Sequence, residues 1–135
     1  MLKLPDGRIK ILVQALTKAR IVDYLQTEPV FRVKIKKIEE PLVTEISVEI
    51  EAMMRNIRDQ CEKTLALKGL LTNEILAILN SIEDPGRLAD LVASNLNLKL
   101  SESQEFLEIN DPIQRLERVN DVLAKEFQEI GRAHV

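Results

Sequence analysis

Residues 79–119, LNSIEDPGRLADLVASNLNLKLSESQEFLEINDPIQRLERV, set the reading of the whole chain. Asp84-Pro85 and Asp111-Pro112 each place a carboxylate, which can accept from unpaired amide groups, just before a proline at a first helical position. Proline lacks an N–H, and at that position none is needed. Leu88, Leu91 and Val92 follow the first start as an inward face. Ile113, Leu116, Val119, Leu123, Phe127 and Ile130 follow the second as a near-heptad stripe. Between them Ser101-Glu102-Ser103-Gln104 reads as a capping box opening a further short helix.

The helical pattern extends back toward Pro41. Ile46, Ile50, Met53, Ile57, Cys61 and Leu65 recur at three- and four-residue steps, a stripe on one long helix that Gly69 can stop. Ile46, Val48, Ile50 and Ala52 also alternate, but the length of the pattern favours helix. Thr72 can cap a short helix carrying Ile75, Leu76, Ile78 and Leu79.

Ahead of Pro41 the period changes to two. Leu4-Pro5-Asp6-Gly7-Arg8 has turn chemistry, with Pro presetting φ and Gly accepting a positive one. A strand is expected where Ile9, Ile11, Val13 and Ala15 alternate with Arg8, Lys10, Leu12 and Gln14. A second is expected from Ala19 to Leu25. In a third, Phe31, Val33 and Ile35 oppose Arg32, Lys34 and Lys36. The expected fold is α+β: a three- or four-stranded antiparallel piece over 1–40, about five helices over 41–130, and a tail at 131–135.

Composition fits that plan. The chain has 135 residues, 45% hydrophobic and 30% charged, ordinary for a soluble globular protein. Aromatics make up only 3%, so the core must be aliphatic. Residues 1–40 carry nine Lys/Arg against five Asp/Glu, a balance of +4; the remainder holds −7 of the overall −3. Two parts with different surfaces are expected. No apolar run approaches the roughly 20 residues of a membrane span, and a single cysteine fits a reducing, cytoplasmic setting.

Chemistry is scarce. One histidine, His134, and one cysteine, Cys61, cannot build a nucleophilic triad or a closed zinc site. The four glycines lie far apart, so no phosphate-cradling loop is present. Gly86 follows Asp84-Pro85 at a helix start, where the carboxylate opposes anion binding. No catalytic, metal or cofactor site is expected. Arg32, Lys34, Lys36 and Lys37 form a basic patch without interleaved aromatics, which makes nucleic acid an unfavoured partner. The remaining contact surface is apolar, and Met53, Met54, Ile57 and Phe31 are the candidate substrate contacts.

The order of these motifs resembles the N-terminal substrate-recognition region of the Lon proteases. Residues 2–21, LKLPDGRIKILVQALTKARI, are similar to the second half of that family's PUA-like β domain. Residues 52–67, AMMRNIRDQCEKTLAL, and the 79–119 stretch resemble the helical portion that follows it. The resemblance covers about residues 2–130, and "DPGRLAD" followed by "DPIQRLERV" carries most of its specificity. It implies a parent that is a homohexameric, ATP- and Mg-dependent serine endopeptidase, with a Ser-Lys dyad outside this chain. It further implies that this segment binds misfolded or regulatory protein substrates and supports oligomerisation without activity of its own. The family's first strands do not precede Met1, so an unpaired sheet edge, and hence a dimer or larger assembly, is expected. The family often has glycine where Ala15 stands, and a positive φ there would strain alanine. Gly131-Arg132-Ala133-His134-Val135 departs from the family's continuing helical arm and reads as foreign sequence. A free-standing ligand- or peptide-binding protein of the same domain type is the alternative reading, followed by a nucleic-acid module and a helical adaptor.

Overall fold

The computed structural model describes residues 2–133, and side chains as far as residue 130. Two compact units divide the chain, residues 1–39 and 40–135.

In the first unit β1 (Leu2–Lys3) and β2 (Ile9–Lys10) form a small antiparallel pair. The turn between them follows its composition. Gly7 takes φ +88°, its N–H donates to the Leu4 carbonyl at 3.1 Å, and Arg8 donates its amide to Asp6 Oδ1 at 3.1 Å. The strand expected through Ala15 stops at Lys10. Alternation marks a face, but a ladder needs a neighbour, and β1 offers two residues only. Residues 11–18 continue outside any strand, with Leu12 fully exposed. Ala15 avoids strain, since no residue other than glycine has a positive φ among the described residues.

β3 (Ala19–Gln26) and β4 (Arg32–Lys37) form a second, separate antiparallel ribbon, so the four strands make two pairs rather than one sheet. β4 pairs continuously, while β3 bulges between Ile21 and Asp23 and between Tyr24 and Gln26. The Ile38 amide donates to the Lys18 carbonyl at 3.0 Å and closes the open end.

The second unit is helical: α1 (Val48–Leu67), α2 (Asn73–Ser81), α3 (Pro85–Asn95), α4 (Leu100–Glu108) and α5 (Pro112–Ala133). Local signals fix most ends. Ser47 Oγ accepts from the Ile50 amide, Thr72 Oγ1 from Ile75, Asp84 Oδ2 from Arg87 and Asp111 Oδ1 from Ile113, all at 3.0–3.2 Å. At the C-terminus of α1, Gly69 takes φ +71°. Its N–H donates to the Ala66 carbonyl, and that of Leu70 donates to Leu65, the paired bonds of a Schellman stop. α4 departs from expectation. It starts after Lys99, whose amide donates to Glu102 Oε1 at 3.3 Å, and Ser101 lies inside the first turn. A glutamate reaching back to the cap N–H satisfies that donor whatever residue stands at the cap.

The core is aliphatic and continuous. Met54, Ile57, Cys61 and Leu65 of α1 and Leu88, Ala89 and Val92 of α3 pack with Leu116, Val119 and Leu123 of α5. Leu79 of α2, Leu96 just after α3 and Phe106 of α4 complete it. α5 continues as backbone through Ala133; the side chains of 131–133, and residues 134 and 135 with His134, lie outside the described residues. Among those described, no helix is long and apolar enough to cross a membrane.

Candidate functional site

The β3–β4 ribbon sorts its side chains by chemistry. Residues directly opposite each other share a face, and successive residues of an unbulged strand change face. On one face Tyr24 stands opposite Val33 and Ile21 opposite Ile35, with Ala19 and Lys37 at the end. On the other, Arg20 stands opposite Lys36, Asp23 opposite Lys34 and Gln26 opposite Arg32. Phe31 joins the apolar face, where its ring meets Tyr24 edge-on at 6.3 Å between centroids and 67° between planes. That face is open: Tyr24 is 59% exposed, Phe31 73% and Ile35 59%. Val22 and Leu25, the residues left over at the two bulges, are exposed as well.

The four candidate contacts therefore separate. Phe31 lies at the edge of an exposed apolar patch. Met53 is half-buried against the helical core. Met54 and Ile57 are core residues, 3% and 0% exposed, because their positions on α1 face α3 and α5. They offer a client no surface while the bundle is folded. The apolar period that suggested them is the signature of packing, and periodicity alone does not separate a docking stripe from a core stripe.

Cys61 shares that core position, and burial pushes its thiol up to about 11 from 9.0. The folded state favours the protonated thiol, so stability is retained below pH 9 and declines as pH rises from 9 through 11. Raised by about two units, the thiolate population at pH 8 falls roughly 100-fold, before burial is counted. Alkylation of the native protein should be at least that much slower than in strong denaturant. Comparable rates, followed by mass spectrometry, would place Cys61 outside the core.

Arg115 is the least expected residue of the helical unit. It is 1% exposed, a buried charge in a unit built around an apolar core. Its Nη1 and Nη2 donate to the two carboxylate oxygens of Glu40 at 2.8 and 3.3 Å, and Nη1 also donates to the Ile109 carbonyl at 3.0 Å. Nη2 reaches Asp90 Oδ2 at 3.4 Å, and Nε lies 2.8 Å from Asp90 Oδ1, an ion-pair contact rather than an aligned hydrogen bond. Gly86 makes room for it, since a Cβ there would come within 2.8 Å of Nη2 and 3.1 Å of Pro112 Cβ. The glycine at the start of α3 thus leaves space that the Arg115 guanidinium occupies.

No group of three or more His, Cys, Asp or Glu among the described residues could hold a metal. An open cleft of about 650 Å³ beside α3 is lined by Ile78, Glu83, Asp84, Arg87 and Asp90. Asp84 already caps α3 and Asp90 already faces Arg115.

Comparison with known proteins gives the geometry its context. A family model for the ATP-dependent protease La (LON) substrate-binding domain matches residues 1–125. A Lon protease of Desulfatibacillum aliphaticivorans is 50% identical over 128 residues, 95% of this chain and 16% of that protein. One of Trichlorobacter lovleyi is 51% identical over 131 residues, 97% of this chain and again 16% of that protein. Lon protease 2 of Bdellovibrio bacteriovorus is 44% identical over 128 residues. The chain thus spans about one-sixth of the length of these relatives. With the match running through both units, the chain belongs to the LON substrate-binding domain family.

Proposed function

We propose that this domain captures unfolded polypeptide on the apolar face of the β3–β4 ribbon, and that peptide-bond hydrolysis takes place in another part of a longer ATP-dependent protease. The observation that carries the reading is the segregated face on which Ile21, Tyr24, Phe31 and Ile35 are exposed around half-buried Val33, backed by a charged face. An open aliphatic and aromatic surface gains free energy from any apolar segment laid on it, about 25 cal/mol per Å² removed from water, and so selects for unfolding rather than for one sequence. The name of the matching family agrees with that role. Use of ATP and Mg and a Ser-Lys dyad in the rest of a longer protein, hexamer formation, support of oligomerisation by this segment and a cytoplasmic setting are all parts of the same proposal. Half-buried Met53 is at most an accessory contact, and Met54 and Ile57 take no part.

The reading is tested by fluorescence anisotropy with a labelled, permanently unfolded model protein. Replacing Tyr24 and Phe31 together by serine should weaken binding at least about tenfold, the scale expected when two aromatic anchors are lost. Phe31→Leu, which keeps apolar area, should retain most of the affinity. Both rings are largely exposed, so helical unfolding should keep its midpoint. Unchanged affinity in the double variant would remove the ribbon from the capture step.

A further inference from the structure

The faces of the ribbon describe an apolar platform, whereas its free edge specifies more. Resting on the capture reading above, we propose that the outer edge of β4 accepts an extended client segment in which acidic and apolar residues alternate. β3 is the only strand neighbour of β4 among the described residues, so the other side of β4 presents a row of backbone N–H and C=O groups. A strand added there sends successive side chains to opposite faces. Those on one side meet Phe31, Val33 and Ile35. Those on the other meet Arg32, Lys34 and Lys36.

The charge on that second side is strongly biased. Arg20, Arg32, Lys34 and Lys36 share it with a single carboxylate, Asp23, a balance of +3. No ion pair engages Arg32, Lys34 or Lys36 among the described residues. An acidic residue of the incoming strand lies directly across from each of these cations in turn, while a basic one meets like charge at the same places. Simple hydrophobic capture needs no such pattern, so the edge adds a preference in register that the apolar face lacks. A single-stranded nucleic acid is the competing occupant of a basic strand, but its geometry is wrong here. Tyr24 and Phe31, the rings on which bases would stack, stand on the face opposite Arg32, Lys34 and Lys36.

The test uses the 135-residue chain and synthetic peptides of about eight residues, the length of a typical strand. One alternates Val and Glu, a second alternates Val and Lys, and a third carries the residues of the first in two blocks. A fourth repeats the first with alternate backbone amides N-methylated along one edge. The Val-Glu peptide should bind about tenfold or more tightly than any of the other three, and its advantage should shrink at high salt. Lys34→Glu with Lys36→Glu should invert the preference toward the Val-Lys peptide, with the helical circular dichroism unchanged. Equal binding of the alternating and blocked peptides, or of the N-methylated one, overturns strand addition. Tighter binding of an oligonucleotide than of the Val-Glu peptide overturns the choice of partner. If the unfolded model protein still binds through Tyr24 and Phe31 in those cases, only the edge proposal has failed; if it does not bind either, the capture reading has failed with it.

Discussion

Replacing Arg115 by alanine should lower the unfolding free energy of the helical unit by about 3 kcal/mol, read as a drop of roughly 1–2 M in the urea midpoint of the 222 nm signal. Two effects oppose each other. Removing one member of a buried ion pair commonly costs about 3–5 kcal/mol because the other is left uncompensated. Here the groups left behind are Glu40 and Asp90, whose side chains are 32% and 57% exposed, and water can recover part of that loss. What water does not repair is the space. Gly86 borders the guanidinium and has no side-chain atoms that can follow it into the gap. Glu40→Ala leaves Arg115 paired with Asp90 and bonded to the Ile109 carbonyl, so it should cost less, about 1–2 kcal/mol. A variant of Arg115 within about 1 kcal/mol of the parent would show that the pair is a bystander of the α3–α5 contact.

Ile57→Ala should cost about 3–4 kcal/mol, again by denaturant unfolding, and should leave affinity for an unfolded client unchanged under conditions where the bundle stays folded. Ile57 is 0% exposed on the face of α1 that meets α3 and α5, so truncation removes its burial and leaves a cavity. Set against the roughly 5–15 kcal/mol that holds a typical domain together, either substitution consumes a large share. The opposite outcome, weak destabilisation with weakened client binding, would return Ile57 to the surface and undo the division between packing and contact residues.

The helical unit was legible because its ends are local. Thr72, Asp84 and Asp111 each satisfy an amide two or three residues ahead, and Gly69 needs only its own positive φ, whereas the cap of α1 at Ser47 was not singled out and Ile46 falls outside that helix. The stripe of α1 was equally plain, but its meaning was not, since Met54 and Ile57 look alike as core or as docking surface until their neighbours are known. Strand content failed where it depended on pairing: Ile11, Val13 and Ala15 alternate as well as any residues in the chain and find no ladder. The segregation of Phe31, Val33 and Ile35 from Arg32, Lys34 and Lys36 was visible from parity alone. That Tyr24 and Ile21 extend the apolar side was hidden by the two bulges of β3, which shift its parity twice. Arg115 carried no signal at all. Its carboxylate partners lie 75 and 25 residues away in the chain, and Gly86 suggested a helix start rather than a slot for a guanidinium.

The 22 residues of α5 make a rod about 33 Å long. Its first turns are clamped by the Asp111 cap, by Arg115 and by Leu116, Val119 and Leu123, whereas Phe127 and Ile130 are only half-buried. With its fulcrum in the aliphatic core, the part of the rod beyond Leu123 is an arm of about 15 Å, so a tilt of about 10° there would carry the far end through only about 3 Å.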